Sequence, residues 1–469
     1  MLLDAADPQV GPVPVRPARS AGPDDAPDVW PSTARVQDGA LHIGGVSIPH
    51  LARACGTPLY VLDEADVRRR ARQWHAAADR VHYAGKAFLS TEFVGWIRDE
   101  GLHLDVCSGG ELSLAIAAGM PAHRIAMHGN NKSIDELRAA VHSGVGVVVV
   151  DCTEEIERLA QLAAATNRVQ DIYVRVTPGI VADTHAYMAT GGDDVKFGFP
   201  IAGGYAAAAV RRVLGLPALR LRGVHSHLGS QILDLSGLRE GAHRVGALLA
   251  DIERAHGLRI GEVDLGGGAG IAYLAGQRRL EPDRFVAALR DGLRTSWPHP
   301  VTLAVEPGRA IVGTAGVTVY EVGVVKDRAL RRFVSVDGGM SDALRPSLYG
   351  ADYTAFVASR AADGDPVLTS VVGKHCETGD VVVPSVALPD DIAPGDLLAV
   401  PATGAYHAAM ASNYNLLPRP AVVAVADGRA KLLVRRETPA DVLARDGGGA
   451  PIDLAAAARR VGPSSTTSP

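Results

Sequence analysis

The sequence predicts an α/β protein built as a (β/α)8 TIM-like barrel followed by a C-terminal antiparallel β domain. Three observations lead there. Eight short β-branched or apolar runs alternate with segments of helical spacing. The rhythm changes after about residue 313 to strand-like runs with few helices between them. Polar, reactive or glycine residues stand at the ends of nearly all the early runs, where a parallel barrel places its sites.

Residues 1–30, rich in Pro, Ala and Asp, read as a disordered extension. The stretch ALHIGGVSIPHLARACGTPLYVLDE looks strand-like, and residues 31–62 are expected to join the β domain from the N-terminal side. The barrel is expected over 63–313. Its strands are HYAGKAF (82–88), LHLDVCS (102–108), RIAMHGN (124–130), GVVVVD (146–151), DIYVRVTP (171–178), LRGVHSHLG (221–229), GEVDLGGG (261–268) and VTLAVEPG (301–308). Helices are expected between most of them, over Thr91–Glu100, Gly110–Ala118, Ser133–Ser143, Thr153–Thr166 and Ser236–His256. Eight is the number that closes a barrel; an open doubly wound sheet is the alternative the pattern leaves. Residues 314–445 supply the β domain through VTVYEVGVV, RRFVSVDGG, PVLTSVVGKHC, DLLAVPATGAY, AVVAVADG and AKLLVRRE. The stretch 446–469 reads as a flexible tail with a short helix at Leu454–Arg460.

Composition narrows the function. Of 469 residues, 47% are hydrophobic and 21% charged, which suits a folded chain with large cores rather than a disordered one. A net charge of -5 offers no footprint for nucleic acid or an anionic membrane. Cys55, Cys107, Cys152 and Cys376 are far apart and form no CxxC pair, so a zinc knuckle or disulfide framework is not expected and no metal is called for. No apolar run reaches the roughly 18 residues that span a bilayer, and the acidic, proline-bearing N-terminus is unlike a signal peptide. The expected location is the cytoplasm.

Lys86 ends the first strand among small and apolar residues. Such a lysine either snorkels to water or is an amine kept reactive toward a carbonyl. Asp105 and His128 end the next two strands, Arg175 lies on the fifth, and His227, Ser230 and Gln231 follow the sixth. The GGGAG run at Gly266–Gly270 lacks the dinucleotide-binding spacing. It is a plain loop or a phosphate cradle, and barrels often hold phosphate after strands seven and eight. Glu306 and Arg309 flank Gly308 at the end of strand eight, as a structural ion pair or as ligand contacts. A lysine for an aldehyde, glycines for a phosphate and a carboxylate for a ring nitrogen together describe a pyridoxal 5'-phosphate site, with His227 flat against the ring.

YAGKA, HGNNKS, HSHLGSQI, DLGGGAGI, EPGRAI, VDGGMSDALRPSLYG, CETGD and GAYHAAMASNYN, in that order, resemble the diaminopimelate decarboxylase family from about Gly56 to Thr438. These are barrel-type pyridoxal phosphate decarboxylases that share the fold of alanine racemase. The resemblance implies that Lys86 bears the cofactor and His227 stacks on it. It implies that Asp105, Ser230, Gly267, Gly268, Gly308, Arg309 and Tyr406 help hold the cofactor, most of them at its phosphate, and that Glu306 pairs with the pyridine nitrogen. Arg309, Arg345, Tyr349 and Tyr406 would meet the substrate, Glu377 its distal amino group, and Cys376 would donate the proton. It further implies a homodimer in which CETGD reaches the partner's barrel, and decarboxylation of the D-configured centre of meso-2,6-diaminopimelate to L-lysine, the last step of lysine biosynthesis.

The chain departs from the family pattern at Ala343, where DGGMSD is usually followed by Asn, and at Ala186, where an acidic residue is common. Rival readings are a decarboxylase of ornithine, arginine or a D-amino acid, a racemase, a non-catalytic cofactor carrier, and a sugar-phosphate barrel. A racemase would place an arginine where Glu306 stands, and a carrier would lack the β domain.

Overall fold

The computed structural model describes residues 18–180, 192 and 194–450. Eight parallel strands close on themselves: β1 (Arg80–Ala84), β2 (His103–Val106), β3 (Ile125–Met127), β4 (Val147–Val150), β5 (Gln170–Thr177), β6 (Leu219–His225), β7 (Glu262–Asp264) and β8 (Thr302–Val305). Closure comes from β8 pairing with β1, Ala304 opposite Arg80, and from β4 pairing with β5, Val148 opposite Ile172. The open-sheet alternative is thereby excluded.

Helices follow the strands nearly as the spacing predicts: Thr91–Asp99, Gly109–Ala117, Ile134–Ser143, Thr153–Ala165 and Leu235–His256. Ser90, Ser108 and Ser133 cap the first three by accepting the backbone N–H three residues on. Only a four-residue turn, Arg309–Val312, follows β8. The gap in the outer ring is filled by Glu64–Ala77, the helix before β1, which packs on that turn and on Pro282–Ser296.

Alternation along the strands decides what faces the barrel axis. Residues turned outward, such as Leu104, Val148, Val174 and Val263, join the large core beneath the helices. The interior holds only a small apolar cluster of Ala126, Val147, Val149 and Tyr173. The same face of each strand, two residues further on, carries His128, Asp151 and Arg175. The period-2 rule thus turns the polar strand ends noted in the sequence into one inward-facing ring.

The second domain is a ten-stranded sheet. Gly316–Asp327 is its spine and pairs antiparallel with Leu59–Asp63, Arg332–Val336 and Leu397–Pro401. Leu59–Asp63 does join this domain from the N-terminal side, alongside Ala421–Ala426. The pairing is mostly antiparallel, but Arg332–Val336 runs parallel to Pro366–Val372, and Leu59–Asp63 parallel to Ala421–Ala426. Two local readings change. The stretch Ile48–Cys55, read as strand-like, is a helix that starts with Pro49 in its first turn and buries Ile48, Leu51 and Ala52. Val381–Pro389 forms a strand that the sequence reading did not separate from its surroundings, because Pro384 interrupts the apolar run.

The assignment of residues 1–30 to a disordered extension is corrected for its described part. Ala18–Arg19 pairs with Val381–Pro389, and Trp30 is fully buried. The indole Nε1–H donates to the Ala21 carbonyl at 3.0 Å, and its ring meets Phe356 edge-on at 5.9 Å. Ala21, Ala26 and Val29 are buried with it, so apolar burial along the segment helps offset its ordering. Residues 446–450 form an exposed turn. Residues 1–17, Thr184–Ala186 and the helix expected at Leu454–Arg460 lie outside the described residues.

Candidate active site

A cavity of about 480 Å³ opens at the C-terminal ends of the barrel strands. Lys86, Asp105, His128, Arg175, His227, Ser230, Gly268, Glu306, Gly308 and Arg309 line it from the barrel, and Arg345, Tyr349 and Tyr406 from the β domain. Residues separated by more than 300 positions in the chain therefore meet in one space.

Lys86 sits on the single 3-10 turn Gly85–Ala87 that ends β1. Protein surrounds the side chain, yet its surface is open to the cavity. Desolvation works against its ammonium form, but Tyr406, Asp105 and Glu306 outweigh it and raise the amine's pKa. Tyr406 is held beside it by a hydrogen bond from its own N–H to the Ala87 carbonyl at 3.0 Å. Its backbone adopts φ of 61°, a conformation rare for a non-glycine residue and common at functional sites.

Glu306 lies between two imidazoles. One carboxylate oxygen is 2.9 Å from His128 Nε2 and the other 3.3 Å from His225 Nε2. Burial pushes the Glu306 pKa up, but His128 and His225 outweigh it and hold the carboxyl well below its ordinary value. His128 is itself raised: desolvation opposes its charge, and Asp105 and Glu306 more than offset that. His225 is held neutral by burial, at about 4. Beneath Glu306, ligand atoms of His82 and Asp264 lie within 4.8 Å of it and of each other. Burial, and then the nearby Glu306 charge, drive Asp264 well above the carboxylate range. Two carboxyls this close in a buried site do not both ionise. Glu306 holds the negative charge and Asp264 the proton.

The glycines at the mouth pack too tightly for any side chain. A Cβ on Gly267 would stand 2.1 Å from the Glu306 carbonyl oxygen, and one on Gly268, where φ is 106°, 2.2 Å from that of Gly229. The Gly267 N–H donates to His227 Nδ1 at 3.2 Å, which fixes the ring and leaves Nε2 to carry the proton of the neutral tautomer. Burial, followed by the Lys86 charge, holds His227 well below its ordinary pKa, as suits a neutral ring lying against an aromatic ligand.

Arg309 and Arg345 are both buried, and among the described residues neither pairs with a carboxylate. Arg309 donates from Nη2 to Ser230 Oγ at 2.7 Å, so that hydroxyl is engaged by a guanidinium. Two desolvated cations facing one cavity call for an anionic ligand.

Three of the expected residues do not line this cavity: Gly267, Cys376 and Glu377. Gly267 acts behind the wall through His227. Cys376 and Glu377 are exposed on a loop pinned at both ends. Asp380 accepts the His375 N–H at 2.7 Å and the Met340 N–H at 2.6 Å, and Tyr414 donates its hydroxyl to Glu377. The sequence reading, in turn, singled out neither His225 nor Asp264 nor Tyr273. His225 and Asp264 stand two residues before His227 and Gly266, so strand periodicity could have found them.

The cavity fits pyridoxal phosphate. Its volume lies in the ordinary range for small-molecule sites. A lysine stands at one wall, a buried carboxylate has an oxygen without a hydrogen-bond partner at another, and a glycine-built edge leaves no room for side chains. Fold and site together define a barrel-type pyridoxal phosphate-dependent decarboxylase. Residues 64–313 match the family described as pyridoxal-dependent decarboxylase, pyridoxal binding domain. The chain is 50% identical over 436 residues to diaminopimelate decarboxylase of Mycobacterium tuberculosis, covering 89% of this chain and 97% of that one. It is 43% identical over 422 residues to diaminopimelate decarboxylase of Bacillus subtilis, covering 87% and 96%. The crystal structure of diaminopimelate decarboxylase from M. jannaschii in complex with L-lysine superposes with a TM-score of 0.82 at 29% identity, covering 88% and 97%. The chain belongs to the diaminopimelate decarboxylase family.

Proposed function

We propose that this enzyme removes the carboxyl group at the D-configured centre of meso-2,6-diaminopimelate, releasing CO2 and L-lysine as the last step of lysine biosynthesis. The observation that carries this substrate choice is the buried pair Arg309 and Arg345, which faces the cavity without a carboxylate partner among the described residues. Ornithine and arginine have no second carboxylate to offer that pair after the reacting one is placed. Diaminopimelate has one, and lysine keeps it.

In this reading Lys86 holds the cofactor through Nζ, His227 lies against its ring, and the glycine edge with Ser230 and Tyr406 takes its phosphate. Asp105 supports the site through His128. When bound, pyridoxal phosphate supplies the electron sink that makes loss of CO2 feasible. The protein does the rest. Glu306, charged because two histidines hold it so, keeps a proton on the ring nitrogen. Arg309, Arg345 and Tyr349 orient the retained carboxylate, and so fix which bond breaks. Cys376 delivers a proton to the reacting carbon, and Glu377 faces the distal ammonium group.

Cys376 and Glu377 stand outside their own cavity, which supports a homodimer in which the pinned loop enters the partner's barrel. Lys86→Ala and Cys376→Ala, each inactive or nearly so alone, are expected to recover about a quarter of native activity when co-expressed, because half of the dimers are mixed and each mixed dimer holds one intact site. No recovery would place Cys376 in the site of its own chain, and near-native activity of Cys376→Ala alone would place it outside catalysis. The four free thiols and the absence, among the described residues, of any helix long and apolar enough to cross a membrane are in keeping with a cytoplasmic enzyme.

The substrate is tested by CO2 release from a panel of meso-diaminopimelate, ornithine, arginine and D-lysine. Turnover of the first alone, with L-lysine as product, is expected. Comparable release from ornithine or arginine would overturn the assignment.

A further inference from the structure

Tyr273 lies just beyond the glycine run, behind the cavity wall. Its Oη accepts hydrogen bonds from Nη1 of both Arg309 and Arg345, the latter at 2.9 Å. Arg309 comes from the end of β8 and Arg345 from the helix Leu344–Tyr349 of the β domain, so one phenol oxygen joins the two halves of the site. Tyr353 also accepts from Arg345 Nη1, and its ring meets Tyr273 edge-on at 5.2 Å and His407 at 5.3 Å. All five side chains are buried. His407 is held neutral by burial and then by the Arg345 charge, at about 3, so it adds no third cation to the cluster.

We propose that Tyr273 is a positioning residue for substrate binding: its oxygen sets the separation and tilt of the two guanidiniums that receive the retained carboxylate. This rests on the reading of Arg309 and Arg345 as the carboxylate pair. Two like charges in a desolvated site repel. An oxygen shared between them offsets that repulsion and confines two long side chains that would otherwise lose rotamer freedom only on binding. Each guanidinium has five N–H donors, so the bonds to the tyrosines leave donors of each free for a bidentate carboxylate. The electrostatics agree. Burial pushes the Tyr273 hydroxyl up, and the two arginines outweigh it and hold it below its ordinary value.

The test is Tyr273→Phe in the holoenzyme, which keeps the ring and removes the shared oxygen. KM for meso-diaminopimelate and the dissociation constant of L-lysine are expected to rise about tenfold or more, the size of a lost hydrogen bond to a charged group. The turnover number and the cofactor's visible absorbance should stay near native. Should that variant fail to fold, Tyr273→Leu serves instead: it refills the buried site with an apolar side chain and no oxygen, and the same rise in KM is expected. An unchanged KM in either variant overturns the role of Tyr273, provided Arg345→Ala raises it. If Arg345→Ala also leaves KM unchanged, it is the carboxylate reading that fails.

Discussion

Replacing Lys86 with alanine abolishes turnover and the visible absorbance of the bound cofactor. The expectation follows from where the side chain sits. It stands on a one-turn break at the end of β1, opens only to the cavity, and is ringed by Asp105, Glu306 and Tyr406. Lys132, a buried lysine of the barrel, is committed to two backbone carbonyls and to Glu155 at 2.8 Å. It cannot substitute. The loss should exceed what a missing binding contact costs, because covalent attachment both retains the cofactor and returns it after each cycle. Thermal stability should match that of the cofactor-free native protein, since the side chain faces an open cavity rather than the packed core. Residual decarboxylation near native levels would contradict the role.

Glu306→Gln is expected to lower turnover by roughly two to three orders of magnitude, as is typical when a preorganised charge is removed from an enclosed site. Glutamine keeps the shape and can still accept a hydrogen bond, so cofactor attachment at Lys86 should survive. What disappears is the negative charge that keeps a proton on the ring nitrogen, and without it the electron sink is weakened. The two histidines sharpen the expectation. His128 and His225 flank the carboxylate, 2.9 and 3.3 Å from its two oxygens, and the Asp264 carboxyl below holds its proton. The whole tier is arranged to keep the Glu306 carboxylate charged under the ring. A variant within tenfold of native turnover would show that this charge is dispensable.

The sequence made the barrel legible because each strand ends where its polar residue begins. Val-rich runs such as GVVVVD, and the single residues Asp105, His227 and Glu306, announce both the strand and its functional end. The period-2 rule then extends from those residues to partners the reading passed over, His225 and Asp264. Other features depend on contacts distant in sequence, which local pattern does not encode. Trp30 is buried by Phe356, more than 300 residues away, so a proline-rich start looked disordered. Pro384 hid a strand that its neighbours supply with pairing. Tyr273 carries no local signal; only the meeting of two domains brings two arginines to its oxygen. The positions of Cys376 and Glu377 are the opposite case. Their motif is clear in the sequence, yet their own cavity does not contain them.

Borohydride reduction of the native holoenzyme, followed by peptide mapping, tests the central claim most directly. A single pyridoxyl group on the peptide bearing Tyr83-Ala84-Gly85-Lys86 is the expected outcome. Label on another lysine, or none on an enzyme that still releases CO2, would contradict the account.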